Sequence, residues 1–261
     1  MPAETNQIKT RMRAGEMQIG AWLGMANAVA TEIAGRAGYD WCMIDAEHGA
    51  SDLFSIRDQL ITLASVGCPG AVRVAENATW QLKQVLDLGA QTVLVPMVET
   101  GAQAEAAARA VFYPPQGIRG MAAGVVRASG YGAEPDYASR ANEQICLMVQ
   151  VESRAGVENI DAIAGVDGID CVLIGPSDLA ADMGLLDQPD APQLDEAMAH
   201  VMERTRAAGK TAGIFCLSEK DMPRYRDMGA RFIAVASDIV SLSDALRSKA
   251  DTVRGILAVK G

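Results

Sequence analysis

The sequence predicts a (β/α)8 barrel of the TIM type, with one helix before the barrel and one after it. Eight short apolar runs recur along the 261 residues, and each is followed by helix-like sequence. Several of the runs are near-continuous in Val, Ile and Leu rather than alternating, the pattern of parallel strands buried on both faces. The length suits one barrel, which places the whole of residues 1–261 in a single domain. A doubly wound open sheet is the competing α/β arrangement, but no GxGxxG follows the first run.

In chain order, the expected strands are Ile19–Leu23, Trp41–Asp45, Ala71–Val74, Thr92–Met97, Ile145–Glu152, Cys171–Gly175, Thr211–Cys216 and Phe232–Ala236. Helical periodicity lies between them at Asp52–Ser65, Thr79–Leu88, Gly101–Ala110 and Gln193–Ala208. Gly89, Gly209 and Gly229 follow helical stretches, where a left-handed residue ends a helix. The longest connection, Met97 to Ile145, holds the Gly- and Pro-rich segment Tyr113–Tyr137, which reads as an ordered loop or lid over one end of the barrel. Gly175-Pro176-Ser177-Asp178 reads as a turn entering a helix at Leu179, with backbone N–H groups free to hold a carboxylate.

Composition narrows the partners. A net charge of −10 argues against nucleic acid and anionic membrane surfaces. No window reaches the ~18 consecutive apolar residues of a membrane span, and no apolar run follows the basic residues of Met1–Gln18 as in a signal peptide. The five cysteines (Cys42, Cys68, Cys146, Cys171 and Cys216) form no CxxC pair and read as buried thiols of a reducing cytoplasm.

Chemistry in a barrel of this kind gathers at the C-terminal ends of the strands. There the sequence has Asp45-Ala46-Glu47-His48-Gly49 after the second strand, Arg73 inside the third, Gln150-Val151-Glu152 ending the fifth, and Ser177-Asp178 after the sixth. Period-two alternation puts Gln150 and Glu152 on one face. Glu152 and Asp178 are candidates for an oxygen-only divalent metal site, suited to Mg²⁺ or Mn²⁺; a helix cap or an arginine pair is the alternative for each. His48, three residues from Asp45, is either a general base or a hydrogen-bonded loop histidine. His200 lies mid-helix and reads as structural or solvent-facing. Arg73 within an apolar strand requires an anionic partner, from the protein or from a substrate. The six lysines lie outside the strand runs, which disfavours a Schiff base. GxSxG, Walker and HExxH motifs are absent.

The strings Tyr39–Gly49 (YDWCMIDAEHG), Val93–Val98 (VLVPMV), Tyr113–Gly120 (YPPQGIRG) and Gly175–Leu179 (GPSDL) resemble the HpcH/HpaI family of metal-dependent class II pyruvate aldolases, in colinear order over roughly residues 7–240. The resemblance implies a divalent ion (Mg²⁺ or Mn²⁺, with Co²⁺ or Zn²⁺ as further options) on Glu152 and Asp178. It also implies His48 as base supported by Asp45, Arg73 on the 2-oxo group, and the amides of Ser177 and Asp178 on the donor carboxylate. Trp22 and Gln150 match further pocket positions. Departures from the family pattern, assigned mainly to the acceptor side, fall at Val74–Ala78, Gly184–Asp187 and Gln116. A hexamer using the C-terminal helix, Ser241–Val259, is implied as well. The expected reaction is reversible cleavage of a 4-hydroxy-2-oxo acid to pyruvate or hydroxypyruvate plus an aldehyde. An acyl-CoA lyase and a non-catalytic 2-oxo-acid-binding barrel are the rival readings.

Overall fold

The computed structural model describes residues 5–188 and 190–258. Its strands are β1 (Gln18–Leu23), β2 (Trp41–Asp45), β3 (Gly70–Arg73), β4 (Thr92–Val95), β5 (Cys146–Val151), β6 (Ile169–Ile174), β7 (Thr211–Phe215) and β8 (Phe232–Ser237). They pair in chain order, all parallel, and β8 closes on β1. This is the predicted (β/α)8 barrel.

The strand boundaries differ from expectation where backbone chemistry intervenes. β4 stops at Val95 rather than Met97, because Pro96 has no N–H for the ladder and Met97 turns into the left-handed region at φ 53. β6 starts at Ile169, two residues before the expected Cys171. Gly89, Gly209 and Gly229 all take positive φ beyond helix ends, as predicted.

Alternation divides the core into two layers. Trp22, Trp41, Met43, Leu94, Met148, Leu173 and Phe232 fill the barrel interior, with Ile8 and Met12 of α1 (Gln7–Arg13) joining them. Trp41 stacks on Phe232 at 4.0 Å, and a Cβ on Gly20 would lie 2.1 Å from the Trp41 ring, so only glycine leaves room there. The outer layer packs the other strand faces against α2 (Ala28–Gly35), α3 (Leu53–Ser65), α4 (Thr79–Asp87), α5 (Gly101–Val111), α7 (Arg154–Glu158), α8 (Ile160–Ala164), α9 (Pro176–Asp182), α10 (Pro192–Ala207) and α11 (Met222–Met228), while α6 (Tyr137–Gln144) packs Tyr137 and Ala141 with Tyr113 in a small separate cluster. Asp52 and Thr100 cap α3 and α5 with reciprocal capping boxes, which accounts for sharp helix starts just past the strand ends.

The Tyr113–Tyr137 segment is tied to the N-terminal end of the barrel. Arg119 Nη2 donates to Asp87 at 2.7 Å and Arg127 Nη1 to the Leu88 carbonyl at 2.7 Å, both at the end of α4. Tyr113 and Asn142 exchange backbone-to-side-chain bonds just before β5. The segment follows α5, which returns the chain to that end, so its anchors are remote from the strand ends that carry Glu152. Gln116 accepts from Asn142 in the same region, away from any acceptor pocket above the strand ends.

The last helix, α12 (Asp238–Leu257), has no buried residue over its 20 positions. Val259 and Lys260 lie outside the described residues, as do Met1–Glu4. Among the described residues, no helix is long and apolar enough to cross a membrane.

Candidate active site

Every sequence-derived candidate lies at or just beyond the C-terminal end of its strand. Asp45 ends β2 and Arg73 ends β3, and these two residues are register partners. Arg73 Nε and Nη2 donate to the two Asp45 carboxylate oxygens at 3.0 and 2.7 Å. Its Nη1 reaches Glu47 Oε2 at 2.7 Å. The guanidinium is thus buried between two carboxylates and lies 5.0 Å from the Trp22 ring, which itself meets Phe215 edge-on at 5.3 Å. Of the five N–H bonds of Arg73, two are donated to Asp45 and three are left without a hydrogen-bond acceptor among the described residues, since Glu47 Oε2 is paired with Nη1 by charge without accepting a hydrogen bond.

Asp45 supports His48 differently from the sequence expectation. Its Oδ1 accepts the backbone N–H groups of Glu47 and His48 at 3.0 and 3.3 Å, so it shapes the turn that carries the histidine rather than orienting the ring. The carboxylate beside the imidazole is that of Glu47, 3.9 Å from Nε2. Gly49 closes this turn, because a Cβ there would meet the Asp45 carbonyl oxygen at 2.3 Å. The His48 side chain is 68% exposed and stands in the open mouth. Burial opposes the Asp45 charge, but the hydrogen bonds and charge of Arg73 outweigh it and hold the carboxyl below its ordinary value. For Glu47 burial prevails over Arg73 and His48, and its pKa is raised. Glu47 carried no role in the sequence reading; its place two residues beyond the β2 end, in a string already read as functional, is the signal that could have found it.

Gln150 and Glu152 do share one face. Gln150 Nε2 donates to Glu152 Oε2, and the backbone N–H of Met97 donates to Oε1 at 2.9 Å. The left-handed turn at Met97 presents that amide, and Val98 N–H bonds the Gln150 carbonyl at 3.0 Å beside it. Gly175 backs the pair, since a Cβ there would sit 2.5 Å from Glu152 Oε2 and 2.8 Å from Gln150 Nε2. Burial pushes Glu152 up to about 7, and the nearby charges of Asp178 and Glu47 act in the same direction.

The turn after β6 becomes helical earlier than expected. α9 begins at Pro176 rather than Leu179, with Gly175 as N-cap and Pro176 preset at the first helical position. Ser177 and Asp178 therefore lie in its first turn, exposed at the mouth, and their N–H groups donate to no protein acceptor among the described residues. His200 is exposed on α10 and outside the site, as predicted.

The oxygen donors fit a hard divalent cation. Among the described residues no three or more His, Cys, Asp or Glu form a ready-made cage. Glu152 and Asp178 offer two carboxylates, and Glu152 is buried beside the like charges of Asp178 and Glu47. A metal that keeps several waters and accepts substrate oxygens suits such an open set.

Against known proteins, residues 18–245 match the HpcH/HpaI aldolase/citrate lyase family. The chain belongs to this family. It is 46% identical over 255 residues to the hydroxypyruvate/pyruvate aldolase of Agrobacterium fabrum, covering 98% of this chain and 96% of that one. It is 42% identical over 238 residues to the 4-hydroxy-2-oxo-heptane-1,7-dioate aldolase of Salmonella dublin, covering 91% and 90%. A solved HpcH/HpaI aldolase/citrate lyase family protein from Burkholderia cenocepacia J2315 superposes with a TM-score of 0.92 at 38% identity, over 96% of this chain and all of that one. The HpcH/HpaI assignment agrees with the resemblance read from the sequence motifs.

Proposed function

We propose that the chain is a carbon–carbon lyase that reversibly cleaves a 4-hydroxy-2-oxo acid to pyruvate or hydroxypyruvate plus an aldehyde. The observation that carries this reading is Arg73, a buried guanidinium with three N–H bonds to spare, at the same barrel end as His48, Glu152 and Asp178. Aldolase-named relatives at 42% and 46% identity support it. A divalent ion on Glu152 and Asp178, Mg²⁺ or Mn²⁺ from the all-oxygen donors, supplies Lewis-acid polarisation of the keto group.

The chain's own residues supply the remainder. The amides of Ser177 and Asp178 hold the donor carboxylate at the start of α9. His48 takes the proton from the C4 hydroxyl as the C3–C4 bond breaks. Negative charge moves to the former keto oxygen, where the free N–H groups of Arg73 stabilise it. The proton that His48 has taken returns to C3, which gives the 2-oxo acid and restores the base. Trp22 walls this pocket through its contact with Arg73, and Gln150 holds Glu152 in place.

The test separates the donor half-reaction from the unidentified aldehyde. Pyruvate in D₂O with protein and Mn²⁺ or Mg²⁺ is expected to exchange its C3 protons, read by NMR, and EDTA is expected to stop the exchange. A folded, metal-loaded protein that exchanges neither pyruvate nor hydroxypyruvate would overturn the reading.

Proton competition for Glu152 gives a second expected result. Glu152 titrates near 7 in the folded apo protein, against an ordinary 4.5. Between those values the folded state binds the extra proton, so this group's contribution to stability falls as pH rises, by about 3 kcal/mol in all. A divalent ion removes that deficit and competes with the proton. Mg²⁺ or Mn²⁺ is therefore expected to raise the melting temperature more at about pH 8 than at about pH 5.5. An equal rise at both would exclude Glu152 as a ligand.

Self-assembly belongs to the same proposal. Ile239, Val240, Leu242, Leu246, Ile256 and Leu257 of α12 are exposed, and a helix with no buried residue needs a partner for such side chains. A second copy of the chain, in a hexamer, would cover them. Sedimentation of the purified protein at monomer mass would count against it. The five free, buried thiols suit a reducing cytoplasm.

A further inference from the structure

We propose that Cys42 and Cys68 form a peroxide-oxidisable thiol pair, in which Cys68 is attacked first and Cys42 resolves it to a disulfide. The two sulfurs lie 3.8 Å apart. They belong to elements that are already bonded, for Cys42 N–H donates to the carbonyl of Pro69, the residue after Cys68, at 3.0 Å. Cys42 is fixed inside β2 and fully buried. Cys68 sits in the short connection between α3 and β3, outside any ladder, where its side chain can approach.

Access distinguishes the two thiols. Cys68 lines a cavity of about 570 Å³ at the N-terminal end of the barrel, walled also by Leu60, Ala64, Arg127 and Tyr131. Hydrogen peroxide is small enough to enter it, whereas Cys42 has no exposed surface and does not line it. The shared hydrogen bond holds the Cys68 thiol below its ordinary value and pushes Cys42 above it, so the thiolate forms at the member that lines the cavity. Among the described residues, the other thiols have no hydrogen-bonded thiol partner. Cys146 faces the Met12 thioether at 3.8 Å, Cys171 is fully buried, and Cys216 bonds the Ser218 carbonyl.

In the first step the Cys68 thiolate attacks one peroxide oxygen, forming S–O as O–O breaks. Hydroxide leaves, and the sulfur has lost two electrons to the peroxide. In the second step Cys42 Sγ attacks Cys68 Sγ, forming S–S as S–O breaks. The departing hydroxide takes the Cys42 proton away as water. Two thiols and one peroxide thus yield one disulfide and two waters. Closing the sulfurs from 3.8 Å to about 2.05 Å falls to the Cys68 side, which is not held in the sheet. The bond would tie the bases of β2 and β3, the two strands that carry Asp45 and Arg73 at their other ends.

The experiment treats the folded full-length protein with hydrogen peroxide, blocks the remaining thiols by alkylation, and maps tryptic peptides without reduction. Residues 37–57 carry Cys42 alone and residues 58–73 carry Cys68 alone, so the linkage is unambiguous. The expected product is this linked pair, two hydrogen masses lighter, with Cys146 and Cys171 still alkylated. In Cys42→Ala, Cys68 is expected to stop at the sulfenic acid and be trapped by dimedone; in Cys68→Ser, Cys42 stays reduced. Wild-type protein in which both peptides remain alkylated after peroxide, or in which Cys68 is over-oxidised without ever linking, would overturn the proposal even if neither variant folds.

Discussion

Replacing His48 by alanine is expected to slow cleavage of a 4-hydroxy-2-oxo acid by about 10²–10⁴-fold, the usual contribution of a positioned proton acceptor. The imidazole is mostly exposed and its side chain makes no hydrogen bond among the described residues, so stability should change by no more than the ~0.5 kcal/mol of an ordinary surface substitution. Binding of the divalent ion should persist, because Glu152 and Asp178 are untouched. The C3 exchange of pyruvate is expected to disappear with turnover. Near-wild-type turnover in a folded His48→Ala protein would remove the histidine from the mechanism and leave Glu47, 3.9 Å from its Nε2, as the nearest carboxylate to test.

Replacing Arg73 by alanine is expected to have the largest combined effect. Turnover loses a donor to the developing oxyanion, a change of about 10²–10³-fold. Stability falls as well, because Asp45 and Glu47 are left buried without their cation, at a cost of about 3–5 kcal/mol. The pH dependence identifies the cause. In the wild type the Asp45 pKa is depressed, so its contribution is present above the unfolded value and is lost only as pH falls through the folded one. Without Arg73, burial is opposed only by the two backbone N–H bonds at Asp45 and by His48 at Glu47, and both carboxyls rise. The folded variant then binds protons that the unfolded chain does not. Its deficit relative to wild type should shrink between about pH 8 and pH 5, as read by thermal unfolding. A deficit that does not change with pH would mean that packing against Trp22, rather than charge pairing, is what was lost. Arg73→Lys restores a cation without the two-point fork, so it should recover stability better than turnover.

Both predictions concern residues that were legible as polar interruptions in apolar runs. Arg73 within Ala71–Val74 requires an anion, from the protein or from a substrate, and residue type alone does not say which. The sequence could not say how the carboxylates of the Asp45–His48 string divide the work. Asp45 takes the guanidinium fork and two backbone amides, which leaves Glu47 to bridge arginine and histidine. That division depends on the β2–β3 register and on how tightly the turn at Gly49 folds back, neither of which is encoded in residue type.

The sequence by itself determined the architecture of this protein, because side-chain period and helix punctuation are local. Buried parallel strands read as continuous apolar runs, and glycines at helix ends marked where the chain turns back. It also determined which strand ends carry polar groups, since a carboxylate or guanidinium in an apolar strand stands out by residue type alone. Only the tertiary structure decided what those groups face. It placed the Tyr113–Tyr137 segment at the barrel end opposite Glu152, began α9 at Pro176 so that two free amides reach the mouth, and left α12 without a buried residue. It also set Cys42 against Cys68, 26 residues apart. These are long-range facts: each depends on the closure of the barrel, which brings together residues whose local sequence carries no record of one another.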